Sequence, residues 1–325
     1  MKGPNPFQIY EIDPEKIIGR KDEVRVFNSF VNGAVSGQPG ILLLIGGPGI
    51  GKTTLIRHFS HIARREGALA PYVKVEKGEG LEALIDKIFQ ETKAIPNLEL
   101  RRTAPESFEE LLKTAKSKKH FGTILFIDDI DRMKKVKEAL SVIEKATEQG
   151  ISIVMTSTKE MKTERTMVLK PFEAHETREL VEKALGKDLK MGEECFNSIM
   201  NDSEGNPKLF KTVCHHIYDR LRENEKIISK GHYLAYLPHI MNMLGREWFG
   251  KMYQETPTAE REILLSISRK DTTHVSDVAK ELDKSLGPIT ALVKRLLDRG
   301  QIVKLDRGKY KIFAKLYGKY VISRS

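Results

Sequence analysis

Apolar residues follow two rhythms in the first half of this chain. Short continuous runs at Ile41–Ile45, Tyr72–Val75, Thr123–Ile127 and Ile151–Met155 have the length of buried strands, and Met167–Lys170 reads as a short fifth. Between them apolar positions recur at helical spacing: Val24, Phe27, Phe30 and Val31; then Leu81, Leu84, Ile85, Ile88 and Phe89. Pro105–Lys116, with an acidic first turn, and Lys135–Gln149, stopped by Gly150, read as two more helices, and Lys93–Arg102 as a loop. Strands alternating with helices predict an α/β doubly wound parallel sheet.

The rhythm changes after Pro171. Strand signals stop, and Glu173–Leu185, Glu193–Met200, Asn206–Leu221 and Gly231–Met252 predict a small all-helical segment. Pro257 breaks the pattern again. Thr258–Ser268, Val275–Leu282 and Leu286–Asp298 read as three helices. Gln301–Leu305 and Lys309–Phe313 alternate across Asp306-Arg307-Gly308 as a hairpin. Three helices and a hairpin predict a winged helix-turn-helix. The expected domains are 1–170 with an extended N-terminal arm, 171–255 and 256–325.

Chemistry concentrates at the first strand. Gly46-Gly47-Pro48-Gly49-Ile50-Gly51-Lys52-Thr53 fits G-x-x-x-x-G-K-[ST], preceded by a strand and followed through Thr54 by a helix. Such a P-loop surrounds phosphates with backbone N–H groups at a helix N-terminus. Lys52 would reach the β- and γ-phosphates of ATP, and the Thr53 hydroxyl would ligate Mg²⁺. The strand Ile124–Ile127 ends in Asp128-Asp129. Asp128 is expected to hold Mg²⁺ through its water shell, and Asp129 to orient or deprotonate the attacking water.

The chain has 325 residues and carries a net charge of +10, with a pI near 9.3. From Thr258 onward, nine Lys and six Arg face eight acidic residues. This excess suggests a polyanion partner, double-stranded DNA. The third helix would enter the major groove with Ser285, Thr290, Lys294 and Arg295, while Lys304, Arg307, Lys309 and Lys311 of the wing would meet phosphates. Two cysteines without a C-x-x-C fit a reducing cytoplasm, and no apolar run is long enough for a membrane span. The pairs His215-His216 and His58/His61 read as ordinary helix residues, because no carboxylate or thiolate cluster is evident beside them.

Together these residues resemble the AAA+ and STAND branches of P-loop ATPases, and most of all archaeal, replication-initiator-like ATPases with a C-terminal winged helix. The resemblance implies that Ile17, Ile18, Gly19 and Arg20 contact adenine. It implies that Thr156 or Ser157 reads the γ-phosphate, that Arg165 is an arginine finger, and that Pro207 and Lys208 belong to an all-α lid domain over ATP or ADP. Asp129 stands where many AAA+ enzymes have Glu, and Lys208 where they have Arg, so slow turnover is expected. The implied function is an ATP-driven switch on DNA. Two others stand beside it: a STAND-type scaffold whose winged helix docks on its own core or a protein partner, and an ATP-responsive transcription regulator; besides DNA, the expected partners are a protein or further copies of the chain in a homo-oligomer.

Overall fold

The computed structural model describes residues 3–9, 15, 17–92, 108–109, 111, 113, 120–187 and 189–324. The helix expected over Pro105–Lys116 and the loop over Lys93–Arg102 lie mostly or wholly outside them. Packing divides the chain into two compact units. One comprises Ile12–Gly46 and Gly51–Leu169; the other comprises Met1–Glu11, Gly47–Ile50 and Lys170–Ser325.

The first unit is built on five parallel strands: β1 (Ile41–Ile45), β2 (Tyr72–Lys74), β3 (Thr123–Asp128), β4 (Ile151–Ser157) and β5 (Arg165–Val168). Their order is β2-β3-β4-β1-β5. Every residue of β1, β3 and β4 is buried, as a sheet covered on both faces requires. Side chains leave alternately to the two faces. Leu43, Leu125, Ile127, Ile153 and Met155 join one core with Leu84 and Ile88 of α3 (Leu81–Thr92) and Ala139 and Ile143 of α4 (Val136–Glu148). On the opposite face Phe126 meets Phe27 of α1 (Lys21–Val35), which stacks on Phe59 of α2 (Lys52–Arg65) at 3.9 Å. That stack fixes the helix that begins at the glycine loop.

Parallel pairing sets Leu44 beside Thr156, Ile45 beside Ser157, and Ile127 beside Met155. The glycine loop, Asp128 and Thr156 therefore lie at the carboxyl ends of neighbouring strands. Ligands of open α/β sheets bind there.

The second unit contains α5 (Ala174–Leu185), α6 (Glu193–Ser203), α7 (Pro207–Arg220), α8 (Lys230–Leu244) and α9 (Gly250–Gln254). It departs from the sequence expectation in two ways. β6 (Lys190–Met191) pairs in parallel with β7 (Ile227–Ile228), so the segment is not wholly helical. Two-residue strands carry no readable alternation. In addition, the helix expected over Gly231–Met252 widens into a π-helical turn at Gly245–Phe249. A Cβ on Gly250 would lie 2.4 Å from the Gly245 carbonyl oxygen, and one on Gly245 would lie 2.9 Å from the Tyr320 ring. Glycine at both ends of the wide turn lets the aromatic cluster of Phe249, Tyr317 and Tyr320 close around it.

The winged helix-turn-helix is α10 (Thr258–Ser268), α11 (Val275–Glu281) and α12 (Leu286–Asp298), with β9 (Ile302–Asp306) and β10 (Lys309–Ile312) as the wing and β8 (Thr273–His274) completing its sheet. A further helix, α13 (Lys315–Ile322), was not evident from the sequence. It supplies the buried Leu316, Tyr317, Tyr320 and Val321 that fasten the wing to the helices before it. Cys195 and Cys214 are buried free thiols. Among the described residues no helix is long and apolar enough to cross a membrane.

Candidate functional site

Lys52 is the first residue of α2, preceded by Gly51 at φ 100°, a left-handed conformation open to glycine. The Lys52 side chain is buried and its Nζ donates to the Gly46 carbonyl at 2.7 Å. Burial lowers its pKa, and the nearby Asp129, Asp131 and Asp128 charges oppose that shift. A buried ammonium beside the N-terminus of a helix is a strong electrostatic partner for a polyphosphate.

Asp128 is fully buried and accepts three hydroxyl hydrogen bonds. Thr53 Oγ1 and Tyr72 Oη donate to Oδ2 at 2.8 and 3.0 Å, and Thr156 Oγ1 donates to Oδ1 at 2.6 Å. Four elements thus meet at one carboxylate: α2, β2, β3 and β4. Thr53 and Asp128 bring a hydroxyl and a carboxylate oxygen together. That hard oxygen set fits Mg²⁺, with water and phosphate oxygens completing the shell.

Asp129 follows in a left-handed conformation, φ 61°. Its N–H donates to Thr156 Oγ1 at 2.8 Å, and its carboxylate lies 3.3 Å from Arg132 Nε and 3.9 Å from Lys74 Nζ. Burial, followed by the Asp128 charge, raises the Asp129 pKa, while Arg132, Lys52 and Lys74 pull it back.

The other expected positions divide. Thr156 is turned onto this pair: its hydroxyl donates to the Asp128 carboxylate and accepts the Asp129 backbone N–H. Ser157 instead closes its own turn, donating to the Lys159 carbonyl and accepting the Lys159 N–H. Arg165 is exposed and sits opposite Leu42, three residues before Ile45 in the strand. At about 3.3 Å per residue it lies roughly 10 Å down the sheet from its own glycine loop, so it does not join the cluster. Gly19 and Arg20 both have positive φ. The buried Arg20 guanidinium is paired with Glu23 at 2.9 Å, and Ile17 and Ile18 before it are half-buried.

The loop apex groups with the helical unit. Asn206 caps α7 by accepting the Leu209 N–H, and its Nδ2 donates to the Pro48 carbonyl at 2.8 Å. Pro207 occupies the first turn of α7. The Lys208 N–H donates to the Gly49 carbonyl at 3.2 Å, and its Nζ lies 4.3 Å from the Trp248 ring centroid. Gly49 has φ 75°, and a Cβ there would come within 2.5 Å of Trp248. Sequence reasoning missed Tyr72, Asn206 and Trp248. The Asn-Pro pair opening a helix was the one local signal available.

On the winged helix, Ser285, Thr290, Lys294, Lys304 and Arg307 are exposed, and Lys309 is half-buried. The Thr290 hydroxyl donates to the Leu286 carbonyl of its own helix. Arg295 leans back toward the buried Glu260, 3.8 Å away, which also takes Arg299 at 3.3 Å. Lys311 pairs with Glu204 of the helical segment, which removes it from the outward basic face.

Thr156→Val keeps the volume and removes the hydroxyl that joins the Asp128 carboxylate to the Asp129 backbone N–H. Steady-state ATP hydrolysis by this variant is expected to fall at least about tenfold, equivalent to about 1.4 kcal/mol, whereas Ser157→Ala should stay close to wild type.

Residues 16–150 match the AAA ATPase domain family, and residues 258–303 match the winged helix-turn-helix DNA-binding family. Among solved structures, the Walker-type ATPase of Pyrococcus abyssi aligns at 17% identity with a TM-score of 0.74, covering 97% of this chain and 99% of that one. The ORC1 protein of Aeropyrum pernix, solved in complex with DNA, aligns at 15% identity and TM-score 0.53, covering 98% and 96%. CDC6P of Pyrobaculum aerophilum aligns at 13% identity and TM-score 0.52, covering 98% and 97%. These likenesses concern the fold. No curated protein matches the chain. The glycine loop, the buried carboxylate at its strand end and the two family matches agree: the chain carries an ATPase domain of the AAA type over residues 16–150, with the P-loop fold, and a winged helix-turn-helix over residues 258–303.

Proposed function

We propose that this ATPase is a slowly cycling, magnesium-dependent switch that binds double-stranded DNA through its winged helix. The observation that carries the nucleotide half is the convergence of Thr53, Tyr72 and Thr156 on the buried Asp128, at the strand end beside the glycine loop. Mg²⁺, when bound, would screen the triphosphate charge and align the γ-phosphate. Thr53 and Asp128 would hold it, Lys52 would bind the phosphates, and Thr156 would keep the Asp128 carboxylate and the Asp129 backbone oriented. Asp129 would take the proton of the attacking water. A short carboxylate, flanked by Arg132 and Lys74, reaches less far than the Glu of many relatives and supports slow turnover. Loss of the γ-phosphate would then remove the contacts that maintain the ATP state.

The exposed Ser285, Thr290, Lys294, Lys304 and Arg307 support DNA as the partner, as does the solved DNA complex of the A. pernix ORC1 protein. A second reading has its own support. Lys311 pairs with Glu204, Lys315 Nζ lies 2.9 Å from Asn201, and Lys319 Nζ lies 2.7 Å from Asp202. These contacts dock the wing and α13 on α6, as a scaffold ATPase that uses its winged helix internally would require.

Two predictions follow from this reading. Asp129 acts as a base only when ionised, and its pKa is raised, so hydrolysis is expected to fall on acidification at a higher pH than an ordinary aspartate would dictate. The stability sign is opposite: with the folded-state pKa above the unfolded one, ionised Asp129 costs stability at neutral pH, and that cost disappears as pH drops through the folded pKa. Asp129→Asn should therefore lower kcat about 100-fold or more while raising the neutral-pH Tm. Unchanged kcat would remove Asp129 from the chemistry.

For DNA, the association constant should fall steeply with salt, and Lys304→Ala/Arg307→Ala should reduce the log–log slope by about two. Duplex binding measured by fluorescence anisotropy across a salt series tests this. Absence of binding at low salt favours the internal scaffold.

A further inference from the structure

We propose that α7 and the N-terminal arm carry a second cation site, for a borderline divalent metal such as Zn²⁺, formed by His215, His216 and Asp219. One ligand atom from each residue lies within 4.8 Å of the other two. The sequence showed the two histidines but no accompanying carboxylate cluster. The helix supplies Asp219, one turn after His215.

Hydrogen bonding selects the atoms. His215 Nδ1 lies 2.7 Å from the Phe7 carbonyl oxygen. A carbonyl only accepts, so Nδ1 carries a proton, which leaves Nε2 as the ring atom that can ligate a metal. That Nε2 sits 3.3 Å from Asp219 Oδ2, itself an acceptor. A shared positive centre, a proton on Nε2 or a metal ion, brings these two atoms together at this separation. In a tetrahedral zinc shell with bonds of about 2.0–2.1 Å, neighbouring ligand atoms stand about 3.3 Å apart. The pair already has the spacing of one edge of that shell.

Two further features point the same way. His216 is 6% exposed, and its Nε2 has no hydrogen-bond partner among the described residues. Both other ligands also have outer support of the kind metal sites use. The Phe7 carbonyl fixes the His215 tautomer, and Asn5 Nδ2 donates to Asp219 Oδ1 at 2.7 Å. Asn5 Nδ2 also donates to the His215 carbonyl at 3.0 Å. A bound metal would therefore tighten residues 5–7 against α7.

The ligand set is two imidazoles and a carboxylate, which suits Zn²⁺, Co²⁺ or Ni²⁺ and not the all-oxygen shell of Mg²⁺. The Arg220 guanidinium, whose charge is felt at His216, is turned to His239, its Nη2 2.7 Å from His239 Nε2. The site is separate from the nucleotide chemistry and neither requires nor replaces Mg²⁺.

The test is titration of the full-length, nucleotide-free protein with Zn²⁺ by calorimetry and with Co²⁺ by visible absorption. The expected result is one equivalent of Zn²⁺ and a tetrahedral Co²⁺ band. Asp219→Asn and His215→Gln alter half-exposed or exposed positions; with the fold checked by circular dichroism, each should weaken Zn²⁺ at least about tenfold and remove the band. Asn5→Ala should weaken it about tenfold through the outer shell alone. His58→Gln/His61→Gln should leave both signals unchanged. Absence of binding in the wild type, equal affinity in Asp219→Asn and His215→Gln, or loss of the signal in the His58/His61 variant would overturn the proposal and leave the His215–Asp219 pair sharing only a proton.

Discussion

A carboxylate removed from water must find hydrogen-bond donors or a cation, because an unpaired buried charge costs several kcal/mol. Asp128 is the point in the sheet unit where that constraint acts. Its oxygens are satisfied by Thr53, Tyr72 and Thr156, each from a different element. No local interaction could supply all three. The parallel register that sets Leu44 against Thr156 and Ile127 against Met155 is what makes the arrangement possible. The sheet exists to bury apolar runs; its strand order then decides which polar groups meet at its carboxyl edge.

The same carboxylate couples structure to chemistry. Thr53 opens the glycine-loop helix, so the donor that satisfies Asp128 is also a magnesium ligand of such loops. Exchanging one hydroxyl hydrogen bond for a shared cation would keep the charge compensated in both states. Lys52 nearby is buried and held by the Gly46 carbonyl, a weak partner that phosphate oxygens would readily replace. The site is therefore arranged in advance, and ligand binding would mainly exchange partners.

Much of this was legible locally. The strand–glycine loop–helix sequence and the Asp128-Asp129 pair each span a few residues, and backbone periodicity gave the parallel sheet and the winged helix. Features that depend on distant packing were not legible. Tyr72 reads as an ordinary strand residue until β2 pairs with β3. Trp248 is unremarked until the π-helical turn, which glycine at Gly245 and Gly250 permits, carries it toward Gly49. The two-residue strands β6 and β7 are too short to show a period, and α13 is a single short helix beyond the wing. Ser157 shows the converse. It has the residue type the chemistry asks for, but a local turn occupies it. Residue type is a local property; reach is set by tertiary geometry. The basic segment behaves likewise. Its charge excess was countable, yet only packing revealed that Lys311 is committed to Glu204 and that Arg295 leans on Glu260.

The central claim is that the Thr53–Asp128 contact is a cation site in waiting. Soaking crystals with Mn²⁺ and a non-hydrolysable ATP analogue, and recording the anomalous signal, tests it most directly. The account predicts one manganese peak bound by Thr53 Oγ1, with Asp128 facing it directly or through one water and Lys52 moved from the Gly46 carbonyl to a phosphate oxygen. Nucleotide bound with no peak at that position, or with Thr53 still donating to Asp128, would contradict it.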